Sequence, residues 1–315
     1  MTYPKWESDI LGNYYECATI KHPDDYAGNV RSSIIRRKTN KFSNKAILYI
    51  HGFSDYFLQA EFGEICNEHG YNFYAVDLRK YGRSYISGQQ FFQVRNLDEY
   101  FPDIQAAVDL MKLDGIKECA LLGHSTGGLT ASLYMSRHPD SLISVLLLNS
   151  PFLAWNLPWY LRLLIPVIAL IGRFFPNIII PQPKDTRYAQ SLRKIYGGEW
   201  EYNTSWKPDQ LPDVDAAWIR AIETGQRQIR KGANIKVPIL VLTSSRSAKN
   251  NDSMDVFRNA DAVLDIKKIS YAAHHLGTNV TIKHIKNGLH DLALSNKSVR
   301  NEYYHLIFDF LKKNE

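Results

Sequence analysis

Six residues near the middle of the chain, Gly123-His124-Ser125-Thr126-Gly127-Gly128, set a serine between glycines. An apolar run at 119–122 precedes them directly, and a helix-like stretch at 129–137 follows directly. This is G-x-S-x-G in a strand–turn–helix context, an arrangement that presents a serine hydroxyl on a sharp turn. Such a turn strains the serine backbone and needs small neighbours so that strand and helix can approach, and Gly123 and Gly127 meet that need. The N-terminus of the following helix favours negative charge beside Ser125. A glycine–serine turn alone can be only a turn; its context makes Ser125 the candidate nucleophile for acyl transfer.

An acyl-transfer serine also needs donors aimed at the developing oxyanion, commonly two backbone N–H groups. Thr126 follows the nucleophile and supplies one. Phe53, in His51-Gly52-Phe53 just after the apolar run 46–50, supplies the other from a loop that Gly52 relaxes. His51 and His124 read as organisers of these loops rather than as bases.

The elements that must position these groups follow from the hydropathy pattern. Runs 46–50, 73–76, 120–122, 145–148 and 239–242 are almost continuously apolar, as in parallel strands covered on both faces, and 280–285 adds a further strand. Runs 14–20 and 30–36 read as an antiparallel pair turning at His22-Pro23-Asp24-Asp25. Residues 97–113 read as a helix capped by Asp98, with Pro102 in its early turns. The expected class is α/β, a mostly parallel central sheet with helices on both faces. Strand–helix alternation stops after Pro151 and resumes at Val237, so 153–235 reads as an inserted helical cap in a core formed by 1–152 and 236–315. Within that insertion, 157–171 is apolar apart from Arg162, but Pro158, Pro166, Arg162 and Arg173 interrupt it too often for a membrane span. A packed cap helix is the plain reading and a lipid-contacting helix the alternative.

Composition narrows the classes. With 45% hydrophobic and 22% charged residues, a 315-residue chain can bury a large core and is not disordered. The 38 basic and 32 acidic residues leave a net charge of +6, but they are interspersed with no dense basic block, which argues against nucleic acid. Cys17, Cys66 and Cys119 are too few and too scattered for a disulfide framework or a metal cluster. The opening residues lack a basic segment followed by an apolar one, so a cytoplasmic location is expected.

In this arrangement the chain resembles the α/β-hydrolase superfamily, within it the cap-bearing serine hydrolases that include monoacylglycerol lipases and lysophospholipases. His51-Gly52-Phe53-Ser54-Asp55-Tyr56 looks like their oxyanion loop, and Asp77-Leu78-Arg79-Lys80-Tyr81-Gly82-Arg83-Ser84 like their D-x-R-G-x-G-x-S loop with Lys80 in place of the first glycine. Gly288-Leu289-His290-Asp291 resembles the terminal G-x-x-H block. The resemblance covers most of 45–150 and 237–311.

It implies the remaining catalytic members. Serine needs an adjacent base, and the family's chain order Ser, acid, His points to His290, which follows the run 280–285. His274 and His275 read as helix residues and His284 as a strand residue. The family's acid follows the strand at 239–242 within a few residues, yet Thr243-Ser244-Ser245-Arg246-Ser247-Ala248-Lys249 holds no carboxylate. Ala260-Asp261-Ala262-Val263-Leu264-Asp265 looks like the missing pattern displaced by an insertion at 245–259, which favours Asp261, with Asp255 and Asp252 as alternatives. Asp265 reads as a helix cap and Asp291 as a loop-stabilising residue. The implied activity is hydrolysis of a carboxylic ester through an acyl-enzyme, without cofactor or metal. A monoacyl lipid or other hydrophobic ester suits an insertion carrying Trp155, Trp159, Phe174 and Phe175. A small- or aromatic-ester esterase and an acyltransferase would share these residues; a non-enzymatic binding protein would usually lack part of the set.

Overall fold

The apolar runs form strands whose residues alternate between two packed faces. In the computed structural model, which describes residues 4–12, 14–139 and 141–314, the chain begins with β1 (Glu7–Ser8), β2 (Glu16–Asp25), β3 (Gly28–Arg37), β4 (Lys45–Ile50), α1 (Ala60–Glu68) and β5 (Asn72–Asp77). It continues through α2 (Phe101–Leu113), β6 (Glu118–His124), α3 (Thr126–Arg137) and β7 (Ile143–Asn149). After an excursion made of α4 (Trp159–Arg162), α5 (Ile165–Phe174), β8 (Ile179–Ile180), α6 (Arg187–Leu192), β9 (Val214–Asp215) and α7 (Ala216–Arg230), the sheet resumes. The last elements are β10 (Ile239–Ser244), α8 (Met254–Phe257), α9 (Ile266–Ala273), β11 (Val280–Ile285) and α10 (Lys297–Lys313).

Nine strands make one sheet in the order β1-β2-β3-β5-β4-β6-β7-β10-β11, antiparallel through β1, β2, β3 and β5 and parallel from β5 onward. Leu48 and Ile50 of β4 join a core with α2, α3 and α9, whereas Ile47 and Tyr49 join a second core with α1 and α10. The two-residue period of a strand thus feeds both faces, which is why these runs are apolar throughout. The register aligns Ile50 with Gly123 and Ser244 with Ile285, so the loops after β4, β6, β10 and β11 open at one edge of the sheet. That edge, at the carboxyl ends of parallel strands, is where α/β sheets bind ligands.

Three local expectations are corrected. The hairpin turns at Tyr26-Ala27 rather than at His22–Asp25, and β2 runs on through Pro23 with a register irregularity between His22 and Asp25. An outer position near the sheet edge and a bulge tolerate the missing proline N–H. The stretch 97–113 is a 3₁₀ turn followed by α2, and its cap is Asn96 in a capping box with Glu99, not Asp98. Residues 157–171 do not form one buried helix: the stretch is split between α4 and α5, and among the residues of these two helices only Ile165 and Gly172 are buried. Gly172 seats α5 against α7, since a Cβ there would lie 2.2 Å from the Ala216 carbonyl oxygen.

Lys80, the departure from the glycine of the resembled loop, sits at φ +66° with its side chain fully buried and its Nζ 2.7 Å from Asp25. That ion pair helps hold a conformation that lysine rarely adopts. Next to it Arg79 is clamped on Asp103 of α2 at 2.6 Å, both side chains being buried, and His22 lies 3.2 Å from the same carboxylate. Removing one member leaves a buried charge uncompensated. Asp103→Ala is therefore expected to lower unfolding free energy by about 3–5 kcal/mol, measured by urea denaturation; a loss below about 1 kcal/mol would contradict the clamp.

Candidate active site

Ser125 links β6 to α3 with φ +52° and ψ −117°, outside the ordinary regions for a side-chain-bearing residue. Its neighbours explain how the turn closes. A Cβ on Gly127 would lie 2.2 Å from the His51 carbonyl oxygen, and one on Gly123 would lie 2.6 Å from the Gly127 carbonyl oxygen. Only glycine permits that approach at either position. The turn is held by the Ser125 N–H donating to the Asn149 carbonyl (3.0 Å), while the Ser125 carbonyl accepts from Gly128, Leu129 and Phe152.

His290 stands on the loop after β11 and is buried. Its Nε2 lies 3.0 Å from Ser125 Oγ, and its Nδ1 lies 3.0 Å from Asp261 Oδ2. The other carboxylate oxygen of Asp261 accepts the Val263 and Leu264 N–H groups at 2.8 and 2.7 Å. Residue 261 is brought there by a bridge to Ser247, where the Asp261 N–H donates to the Arg246 carbonyl and the Ala248 N–H donates to the Asp261 carbonyl. The intervening residues form the excursion that carries α8. Asp252 accepts its own loop's Lys249 N–H there, and Asp255 is exposed, so neither reaches the histidine. Asp265 caps α9, and His284 pairs with Thr243 Oγ1 at 2.8 Å.

On the other side of Ser125, no hydrogen-bond partner is found for the N–H of Phe53 or of Thr126 among the described residues. His51 Nε2 accepts the Leu78 N–H at 3.0 Å, tying the Phe53 loop to the end of β5. The Phe53 ring packs on Phe92 and Trp218, with centroids 5.2 and 4.7 Å away. A narrow cleft of about 10 Å³ lies beside it, with Gln93, Asp213 and Asp215 in its lining as well as Phe53, Phe92 and Trp218. Of the four aromatic residues singled out in the insertion, only Trp155 turns inward. It packs on Phe152 and Trp218, while Trp159, Phe174 and Phe175 face outward.

Behind the serine–histidine pair lies a second set of buried polar groups that no motif announces. Asp55, His124 and Asp291 offer ligand atoms within 4.8 Å of one another. These donors are already engaged. Asp55 Oδ1 meets Lys207 Nζ at 2.7 Å, and Asp291 accepts from Asn149, Gln59 and the Ala293 N–H. Burial pushes the Asp55 carboxyl up, but the adjacent Lys207 charge and hydrogen bond leave it below its ordinary value. Burial lowers His124, so this ring is neutral near pH 7. A metal would have to displace the lysine. Lys207 is the residue that sequence reasoning missed, because a lone lysine in an aromatic insertion carries no pattern.

The geometry separates the three candidate acids. Asp261→Asn is expected to lower kcat by about 10⁴ by favouring the wrong histidine tautomer, whereas Asp252→Asn and Asp255→Asn stay within about twofold. Ester turnover by the three variants measures this, and full activity in Asp261→Asn would remove it from the reacting set.

Residues 43–296 match the family described as serine aminopeptidase, S33. Among solved structures the chain is similar to the monoacylglycerol lipase of Paleococcus ferrophilus, with 18% identity and a TM-score of 0.65 over 90% of this chain and 99% of that one. It is also similar to a soluble variant of monoglyceride lipase from Saccharomyces cerevisiae in complex with a substrate analogue, with 16% identity and a TM-score of 0.70 over 94% and 96%. At such identities these likenesses speak for the fold. Epoxide hydrolase 3 of Xenopus tropicalis is 31% identical over 112 residues, 34% of this chain, and the match spans 28% of that relative's length. With the family match running across most of the sheet, and the serine elbow within it, the chain belongs to the serine aminopeptidase S33 family of α/β hydrolases.

Proposed function

We propose that the protein hydrolyses carboxylic esters through an acyl-enzyme on Ser125. The observation that carries this reading is the row Ser125 Oγ, His290 and Asp261 Oδ2 at 3.0 Å steps, with the Phe53 and Thr126 N–H groups unpartnered among the described residues. In this reading His290 Nε2 takes the Ser125 proton as Oγ attacks the carbonyl carbon, and the Phe53 and Thr126 N–H groups receive the oxyanion. The tetrahedral intermediate collapses, the carbon–oxygen bond to the alcohol breaks, and His290 returns the proton to the leaving alcohol. Water, deprotonated by the same histidine, then releases the acid and restores Ser125. Asp261 holds the histidine tautomer and stabilises its charged form. A serine at the elbow favours this acyl chemistry over attack by a carboxylate.

Residues 153–235 act in this proposal as a cap, with α7 as its anchor in the core through Trp218, Ile222 and Ile229. The aromatic cluster of Phe53, Phe92 and Trp218 supports a hydrophobic acyl group or head group, and the names of the two lipase structures support a monoacyl lipid. The outer cap face supports meeting that substrate at a lipid surface. Trp159 is 74% exposed, Leu163 66%, Phe174 66% and Phe175 63%, an apolar patch of the kind that marks interaction sites. Between residues 157 and 184 the charged residues are Arg162, Arg173 and Lys184, with no carboxylate, which suits an anionic lipid surface. No helix among the described residues is long and apolar enough to cross a membrane. Free Cys17, Cys66 and Cys119 support a reducing, cytoplasmic compartment.

Ser125→Ala is expected to lower kcat by about 10⁴ or more with the fold intact, measured on an ester panel of varied acyl length that includes one aminoacyl amide. Undiminished turnover in that variant, or turnover of the amide alone, would overturn the ester reading. A second measurement tests the cap face. Trp159→Ser with Phe174→Ser should weaken binding to anionic phospholipid vesicles at least tenfold while leaving kcat/KM on a soluble short-chain ester within about twofold; unchanged vesicle binding would place the lipid contact elsewhere.

A further inference from the structure

We infer that Lys207, from the insertion between β7 and β10, is a positioning residue for the oxyanion site, acting through Asp55. The inference rests on the ester-hydrolase reading of Ser125 and adds to it a residue 152 positions away in sequence from the aspartate it holds.

The loop after β4 has to aim the Phe53 N–H; His51 Nδ1 meets the Gly52 carbonyl of that same peptide group at 2.8 Å, and the strained residue that follows Phe53 needs holding as well. Ser54 adopts φ +52° with its hydroxyl buried and unpartnered, a strained state that persists only where surrounding contacts over-determine it. Asp55 supplies one such contact, because its Oδ2 accepts the Gly52 N–H at 3.4 Å. The start of the Phe53 loop, at the Gly52 N–H, is thereby tied to the side chain of a residue beyond Phe53. That carboxylate is fully buried, and its charge is compensated by Lys207 Nζ at 2.7 Å, itself largely buried. Without the ammonium, burial would favour the neutral acid, and a protonated carboxyl is the weaker acceptor for Gly52.

The insertion reinforces the same loop at a second point. The Asn203 N–H donates to Tyr56 Oη at 2.9 Å, and the Trp206 ring meets Tyr56 edge-on at 5.2 Å. The Lys207 N–H in turn donates to the Asn203 carbonyl at 3.0 Å, so residues 203–207 form one turn that grips Asp55 and Tyr56 together. The contact reaches the histidine loop as well. Leu289 and Leu294 share an apolar cluster with Tyr56, Trp206 and Trp200, and the Trp200 Nε1 donates to the Leu294 carbonyl at 2.8 Å. A lysine serving stability alone would be a poor choice here, since a buried ion pair is often replaced by apolar residues without loss. Its place beside the oxyanion loop gives the charge a use.

Kinetics on a soluble short-chain ester test this. Lys207→Met is expected to lower kcat on the order of 10- to 100-fold with KM within about twofold, because misaiming an oxyanion donor weakens transition-state rather than ground-state binding. Lys207→Met combined with Asp55→Leu removes both charges and the Gly52 acceptor. In that double variant the thermal midpoint should return toward the wild-type value while kcat stays low, and it carries the comparison should Lys207→Met alone not fold. Recovery of kcat together with the midpoint, a Lys207→Met kcat within twofold of wild type, or a loss confined to KM would each reduce the pair to a structural role and overturn the inference. Failure of the underlying reading looks different: Ser125→Ala would then keep wild-type turnover whatever residue 207 is.

Discussion

The first turn of α3 comes so close to the end of β4 that a single carbon on Gly127 would collide with the His51 carbonyl oxygen. That approach governs the site. It forces the link from β6 into a backbone that strains Ser125, and among the described residues no partner is found for the Thr126 or the Phe53 N–H. The sheet register does the rest. Because β4, β6, β7, β10 and β11 run parallel and end together, the serine, the Phe53 loop and the histidine loop reach one edge without long side chains having to span between them.

Most of the charges buried around that edge are paired, several of them with partners from distant parts of the chain. Asp77 holds the Phe57 N–H and Arg83, which also clasps Asp9; Asp103 holds Arg79; Asp25 holds Lys80; Asp55 holds Lys207. An isolated charge in such surroundings would shift its protonation and lose its geometry. Each pair instead fixes a loop that the sheet alone does not constrain. Lys80 shows the logic at the level of one residue, as the ion pair with Asp25 accompanies the backbone conformation that a glycine would have adopted without strain.

The insertion combines two opposite requirements. Its α7 end is buried against the core, and its 200–207 turn is stitched to the Phe53 and histidine loops. Ahead of both in the chain, α4 and α5 expose large apolar side chains that a fully buried helix would hide.

The amino-acid sequence by itself determined the class of fold, the elbow and the phasing of the strands. The apolar runs at β4, β5, β6, β7 and β10, and the glycines about Ser125, act on neighbours within a few residues, where covalent connection and backbone sterics dominate. His290 was legible too, through its place after β11 and a family resemblance. Tertiary structure decided what depends on contacts across the chain. It chose Asp261 over Asp252 and Asp255 as the partner of His290, because the bridge from Ser247 returns the chain only after the α8 excursion. It moved the first hairpin's turn past Pro23 through pairing with β3, and it turned the aromatic residues at 159, 174 and 175 outward through the seating of Gly172 on α7. It also joined Lys207 to Asp55. No local pattern encodes these outcomes, since each is set by which surfaces meet once the sheet has formed, and side chains far apart in sequence become neighbours only then.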